Sequence, residues 1–366
     1  MFHAPKRWII RSFSTISQAK TGILRGIIFL VAVFTLRLHS PELQKVQGHA
    51  QGTTYHISWW LDHSPTSNKE KMVQQFQQAL EAIDSELSTY RADSYISEFN
   101  QSTSTEWIPA SDDFLRLISI ARDVNAKTSG CYDPTVEPLF DLWGFKSGHF
   151  HIPSNEKIVR TKSKLGLDKI KVDWHKKLIR KTLPGVQLDF SSMGEGYTIE
   201  KLSEILEQRD ITNYLVEFGS DMKVRGHHPS GRKWLVSISL PILKIGDNHP
   251  YHRVTINSES GVTIDTSGTY LRSFDIDGKE YSHILDLRLG APVKHDLVSV
   301  SVFGDIPPVS DAWATAMLCL GAEEGAKIAR REHISAFFIR RQKDEDSFSG
   351  LRSERLISTD QVIFAS

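Results

Sequence analysis

Apolar and polar positions along the chain fall into helix-like and strand-like stretches after a polar segment near His39 to His49, which reads as a linker. Residues 53–60 (TTYHISWW) are dense in β-branched and aromatic side chains and predict a strand. Residues 69–87 place Met72, Val73, Phe76, Leu80, Ile83 and Leu87 at helical spacing. A second helix, capped by Asp112 or Asp113, carries Phe114, Leu117, Ile118, Ala121 and Val124 and ends near Gly130. An irregular stretch, 134–153, precedes short strands near 170–172 and 178–179. Residues 188–202 (LDFSSMGEGYTIEKL) read as an apolar strand, a turn holding one glutamate between two glycines, and then an amphipathic helix. Further strands are predicted at 214–217, 234–240, 254–256 and 262–264, and a hairpin over 274–286 turns at Asp277-Gly278. A strand at 297–303 follows, then a helix from Ser310 after Pro307 and Pro308, a helix at 322–331 and a strand at 336–339. Strands and helices mix without strict βαβ alternation, so the fold class is α+β.

At 366 residues and 40% hydrophobic content the chain is long enough to bury a full core. Lysine plus arginine and aspartate plus glutamate balance at 44 each, which argues against a nucleic-acid groove or a polybasic membrane surface. Only Cys131 and Cys319 occur, far apart and without CxxC spacing. That count speaks against a disulfide framework and a cysteine zinc site, and Cys319 in AMLCLG reads as a small buried hydrophobe. Lys6, Arg7, Arg11, Lys20 and Arg25 precede GIIFLVAVFTL at 26–36, and no acidic residue comes before Glu42. The apolar run is short of the ~20 residues of a comfortable membrane span. It fits an export signal, either cleaved or kept as a short anchor, and in a bacterium the remainder is expected in the periplasm.

Several patches carry candidate chemistry. In SDAWATAM, Ser310 reads as an N-cap and Asp311 as a first-turn acid favoured by the helix dipole. Thr315, four residues on, shares a face with Asp311, and the two offer oxygen ligands for a hard cation such as Mg²⁺. His283 in YSHILD is either a hydrogen-bonded structural histidine or a base for an alcohol proton. DTSGTY at 265–270 and GCYDPTVEPLFDLWGF at 130–145 read as loops that cover a core or receive a planar heterocycle. Glu195 is either a solvated acid at a helix start or an acceptor for a ligand. There is no GxGxxG or GxxxxGK[ST] phosphate signature.

Taken in order, LSTYRADSYISEFN, GCYDPTVEPLFDLWGF, LDFSSMGEGY, YLVEFGSD, DTSGTY, YSHILD and SDAWATAMLCLG resemble the ApbE-type bacterial flavin transferases, the FAD:protein FMN transferases. The resemblance implies a flavin transferase domain over 48–366 after an N-terminal signal or anchor at 1–40, with two intimate lobes and the FAD site between them. It implies Mg²⁺-dependent cleavage of FAD, transfer of FMN through a phosphoester bond to a threonine of an acceptor protein, and release of AMP. The acceptors it implies are subunits of a sodium-pumping quinone reductase or a related electron-transfer complex. By resemblance, Asp311 and Thr315 side chains, the Ala314 carbonyl and Ser192 hold the metal. Tyr90, Cys131, Tyr132, Asp133, Asp189, Glu195 and Leu285 fall at FAD-contact positions, and Gln51 stands where the family has a cofactor-site methionine. His283 matches the histidine that activates the acceptor threonine. Departures are Gly219-Ser220 for Gly-Gly, and Leu287 and Leu289 in HILDLRLG for a proline and a threonine. Two alternatives use the same site: an FAD pyrophosphatase with water as acceptor, and a non-catalytic periplasmic flavin-binding protein.

Overall fold

A computed structural model describes residues 42–61, 69–239, 250–270, 272–342 and 347–365. The proposed export segment, 1–40, lies outside them. The described residues belong to one compact unit, Pro41–Ser366.

An eight-stranded sheet organises that unit. Its strands are β1 (Gln44–Ala50), β2 (Thr53–Trp60), β3 (Asn213–Phe218), β4 (Asp221–Arg225), β5 (Val262–Gly268), β6 (Leu297–Gly304), β7 (Ser335–Arg341) and β8 (Phe348–Arg352). They lie side by side in this order, and every neighbouring pair is antiparallel. The segment expected to be a linker is therefore largely strand β1, which the alternation of half-buried and exposed positions allows at a sheet edge. Gln51 and Gly52, both at positive φ (52° and 79°), make the two-residue turn into β2.

Helices cover one face of the sheet. α1 (Lys69–Leu87) and α3 (Ser191–Glu207) pack Phe76, Leu80, Ile199 and Leu202 on Ile57 and Tyr214. α2 (Asp112–Lys127), α4 (Pro307–Leu320) and α5 (Ala322–Arg331) close over Val300, Val302 and Phe338. On the other face sits a small sheet of Trp234–Ser239, Pro250–Ile256 and Val362–Phe364, whose Val236, Val254 and Ile256 meet Val224, Ile264 and Phe337. Period-two alternation thus leaves the residues between Val262 and Ile264, and those after them on the same side, facing the helices.

Several local expectations change. Residues 186–190 belong to no strand, and both glycines beside Glu195 lie inside α3, which already begins at Ser191. α4 begins at Pro307, since proline suits the first helical turn, so Ser310 is an interior buried residue and not the cap. Asp311 consequently sits beyond the first turn, where the dipole no longer accounts for it. Ser111, not Asp112 or Asp113, caps α2 by accepting a hydrogen bond from Phe114 N. Asp265 to Gly268 are strand, not loop. The hairpin Ser273–Ile276 and Lys279–Ser282 turns at Asp277-Gly278 as the sequence suggests.

Candidate active site

The crossing of α3 and α4 joins the two segments expected to share a metal. The Gly196 N–H donates to Asp311 Oδ2 at 3.0 Å. Gly196 makes this approach possible, because a Cβ there would lie 2.6 Å from the Pro307 carbonyl oxygen and 2.9 Å from Asp311 Cβ. Asp311 is buried; that burial, aided by the charge of Glu195, pushes its carboxyl up to about 8. Opposite α4, β5 aims Asp265 and Ser267 at the helix, and Ser267 Oγ lies 2.9 Å from Thr315 Oγ1. Asp221, at the start of β4, is buried beside them and accepts from Thr266 N at 2.7 Å. Burial and the neighbouring Asp311 charge raise the carboxyls of both Asp221 and Asp265 well above the ordinary range.

Glu195 leaves α3 one residue before Gly196. Its Oε2 accepts from Ser220 N at 3.1 Å and from Ser220 Oγ at 3.3 Å. Burial raises this carboxyl, against the opposing effects of Ser220 and the Arg272 charge. Gly219 holds φ at +61°, and a Cβ there would stand 2.4 Å from the Glu195 carboxylate, so only glycine permits the contact. The departure Ser220 is thereby explained: its hydroxyl spans Glu195 and the Thr266 carbonyl. Ser192 Oγ donates to Tyr132 Oη at 3.0 Å, and Tyr132 is buried with its hydroxyl pKa pushed far up. The donor set here is all oxygen, and among the described residues Asp265 Oδ1 is buried with no hydrogen-bond partner. Both features fit a hard divalent cation.

The loop at 131–133 is held from behind. Cys131 and Cys319 form a disulfide with Cα atoms 6.1 Å apart, tying this loop to the C-terminal end of α4. The low cysteine count concealed it, since pairing across 188 positions depends only on tertiary proximity. Cys319 is therefore a cross-link and not merely a small hydrophobe. Asp133 spends its carboxylate inside the protein, accepting from Thr135 N and Oγ1, Asn125 Nδ2 and Leu167 N. This leaves main-chain groups of the loop as its means of meeting a ligand. Asp189 Oδ1 accepts from Ser191 N at 2.7 Å at the start of α3. Its neighbour Glu137 is buried and pushed up to about 7 by burial and then by the Asp189 charge, while Lys146 pairs with it.

His283 follows the hairpin. Its Nδ1 lies 2.9 Å from the Arg272 carbonyl oxygen, which can only accept, so Nδ1 carries the proton and Nε2 is the free base. Burial depresses its pKa to about 4, leaving the ring neutral near pH 7. The Arg272 guanidinium reaches Tyr90 Oη at 3.4 Å and its charge acts on Glu195, so this residue links Tyr90, His283 and Glu195. Tyr90 is 75% exposed, as a residue presented to a ligand can be. Leu285 is buried in a separate cluster with Leu139 and Trp143. Gln51 accepts from Thr198 Oγ1 at 3.0 Å, against the buried middle of α3. Leu287 packs on the Leu285 cluster, whereas Leu289 is 67% exposed on the following turn.

Sequence reasoning singled out DTSGTY and YLVEFGSD as segments but gave no individual role to Asp221, Asp265 or Ser267, and it passed over Arg272. Asp265 carried a usable signal, a carboxylate at an inward-facing position of a strand otherwise made of apolar and hydroxyl residues.

With this geometry in view, comparison with known proteins is informative. The model of the ApbE family matches residues 51–338. The chain is 34% identical over 341 residues to the FAD:protein FMN transferase of Escherichia coli (strain K12), covering 91% of this chain and 95% of that one. It is 29% identical over 324 residues to the protein of the same name from Haemophilus influenzae, covering 87% and 92%. Among solved structures, the flavin transferase ApbE from Vibrio cholerae superposes with a TM-score of 0.76 at 28% identity, covering 87% of this chain and 99% of that one. The apo Pseudomonas stutzeri flavinyl transferase ApbE gives 0.76 at 28% identity, covering 86% and 96%.

Proposed function

The chain belongs to the ApbE family, and from that membership we propose that it is an FAD:protein FMN transferase that uses Mg²⁺, modifies a threonine hydroxyl and releases AMP. As an enzyme it falls in the transferase class. The observation that supports the finer reading is the crossing of α3 and α4, where the Gly196 N–H donates to Asp311 and Thr315, one turn further along α4, meets Ser267 of β5. Ser192, Asp311, Thr315 and the Ala314 carbonyl are the residues that would hold Mg²⁺. When bound, the ion neutralises diphosphate charge and makes the phosphorus easier to attack.

The chain's own residues account for the rest. Tyr90, Gln51, Glu195, Asp189 and the 131–133 and Leu285 segments would position FAD. His283 Nε2 takes the threonine proton as the hydroxyl oxygen bonds to the FMN phosphorus. The bond from that phosphorus to the bridging oxygen breaks, and AMP departs with the electron pair. Nδ1, held by the Arg272 carbonyl, fixes the ring orientation and the tautomer.

We further propose export: residues 1–40 act as a signal or inner-membrane anchor, and domain 48–366 works in the periplasm. The Cys131–Cys319 disulfide supports that location, since such bonds persist in oxidising compartments. The acceptor we favour is a threonine-bearing subunit of a sodium-pumping quinone reductase or a related electron-transfer complex.

The test is incubation of the purified protein with FAD, Mg²⁺ and a threonine-bearing acceptor, followed by intact-mass and nucleotide assays. FMN mass on the acceptor with free AMP supports transfer. Free FMN and AMP alone would make the protein a hydrolase, and unaltered FAD would leave it a binder.

A further inference from the structure

A further small sheet is formed by Ile108–Pro109, Leu178–Lys181 and Ile170–Asp173 in that order, with antiparallel neighbours. Its inward positions Ile170 and Ile179 are fully buried. On the other face Lys171 stands directly across from Arg180, and like charges so placed repel. The Arg180 guanidinium carbon lies 4.7 Å from the centroid of the Trp107 ring. Arg122 of α2 lies 5.7 Å from that of Trp174 in the same manner and donates from Nη2 to the Ile170 carbonyl at 2.7 Å. The three cations and Trp107 line one open recess of about 690 Å³. Among the described residues none of the three has a carboxylate within ion-pair distance, and Arg180 Nε is buried with no hydrogen-bond partner. The acids nearby are already engaged. Asp168, which also lines the recess, pairs with Lys169 at 3.3 Å, and Asp173 accepts from the His175 and Lys176 N–H groups. Burial with no anion to offset it depresses the Arg122 pKa. Asn125 and Leu167, also in the recess wall, donate to the Asp133 carboxylate, so the recess backs onto the 131–133 loop. No residue assigned above to FAD or Mg²⁺ lines it.

We propose that this recess is a second binding site, which takes a phosphate-bearing anion on Arg180, Arg122 and Lys171. A guanidinium laid on an indole face holds its planar fork in place, and that fork matches phosphate oxygens in pairs, while lysine adds a point charge. Three cations favour phosphate over a carboxylate, because phosphate carries more charge and more acceptor oxygens. The anion offsets the repulsion between Lys171 and Arg180 and gives the unpartnered Nε an acceptor. Two sources carry this group, a soluble phosphoester and the headgroup of an anionic phospholipid. The site stands apart from the transferase reading and needs neither FAD nor Mg²⁺.

Calorimetric titration of the full chain with inorganic phosphate, without Mg²⁺ and at an ionic strength held constant with sodium chloride, tests this. The wild type is expected to show saturable uptake, and Arg180→Gln to bind at least ~10-fold more weakly, the scale of losing charge-assisted hydrogen bonds. Phosphate should raise the melting temperature of the wild type and raise that of R180Q much less. If R180Q does not fold, Lys171→Gln is read by the same two measurements with the same expectation. Retention on phosphatidylglycerol vesicles, compared with phosphatidylcholine vesicles, identifies the source. Retention lost by the variant on the anionic vesicles alone assigns the site to lipid headgroups. Equal retention of the two proteins, with phosphate uptake still weakened in R180Q, assigns it to a soluble phosphoester. A variant that matches the wild type both in phosphate uptake and on the vesicles overturns the proposal, as does a wild type that takes up no phosphate and shows no preference for the anionic vesicles.

Discussion

Replacing Gly196 by alanine tests the helix crossing on which the whole site depends. The new Cβ would stand 2.6 Å from the Pro307 oxygen and 2.9 Å from Asp311 Cβ. Contacts of this kind settle at about 3.5 Å, so α3 and α4 must part by the better part of an ångström. Overpacking of this order costs about 1–3 kcal/mol. Parting the helices also stretches the 3.0 Å bond from Gly196 N to Asp311. With the Asp311 carboxyl raised to about 8, the acceptor is mostly neutral near pH 7, and such a bond contributes about 0.5–1.5 kcal/mol when intact, of which part is lost. Alanine returns about 1 kcal/mol through its helix propensity. The net expectation is a loss of about 1–3 kcal/mol, or a melting temperature lower by on the order of 5 °C in a domain of this size. Gly194→Ala is the internal control, because a Cβ there meets no atom within 4 Å. It should stabilise the fold by up to about 1 kcal/mol, yet weaken FAD binding by narrowing the open side of α3. Urea unfolding measures the first quantity and calorimetric FAD titration the second. A G196A protein as stable as the wild type would show that the two helices do not meet as described.

Other perturbations follow from the same contacts. Cys319→Ser should lower stability by up to about 5 kcal/mol, the chain-entropy value for so long a loop, and coincident urea midpoints with and without a reductant would contradict the cross-link. His283→Gln should keep FAD affinity within a few-fold and slow FMN transfer by about 10²–10⁴; an undiminished single-turnover rate would remove the histidine as base. Because burial holds His283 near 4 instead of its ordinary 6.5, the base stays active to mildly acid pH, and transfer should fall only as pH approaches about 4. The same shift means that only the unfolded chain takes up this proton between 6.5 and about 4, so its contribution to stability is lost as pH falls through that window, as acid-dependent melting can measure. Asp311→Ala should abolish Mg²⁺-dependent transfer, and full activity of that variant with an unchanged Mg²⁺ requirement would argue against it as a ligand.

The pattern of apolar positions was enough for α1 and α5, whose limits at Lys69–Leu87 and Ala322–Arg331 agree with the spacing, because each buries one regular face. The Asp277-Gly278 turn was legible for a similar reason: its backbone angles are set by the two residues themselves. The candidate site was legible mainly as an ordered set of motifs, with Ser192, Asp311, Thr315 and His283 named in advance. Local signals misled where tertiary contacts override them. Gln44 to Ala50 is polar yet becomes a strand because β2 supplies its hydrogen bonds. Gly194 and Gly196 look like turn residues, yet both are helical, and Gly196 is small because α4 presses on it. Asp221 and Asp265 lie 44 positions apart, and Cys131 and Cys319 lie 188 apart. The sequence by itself determined the periodic elements and the inventory of chemical groups, since both are properties of neighbouring residues. Only the tertiary structure decided which carboxylates crowd together, which histidine nitrogen is free and which cysteines join, because charge repulsion, burial and bonding act through space across segments that the chain keeps far apart.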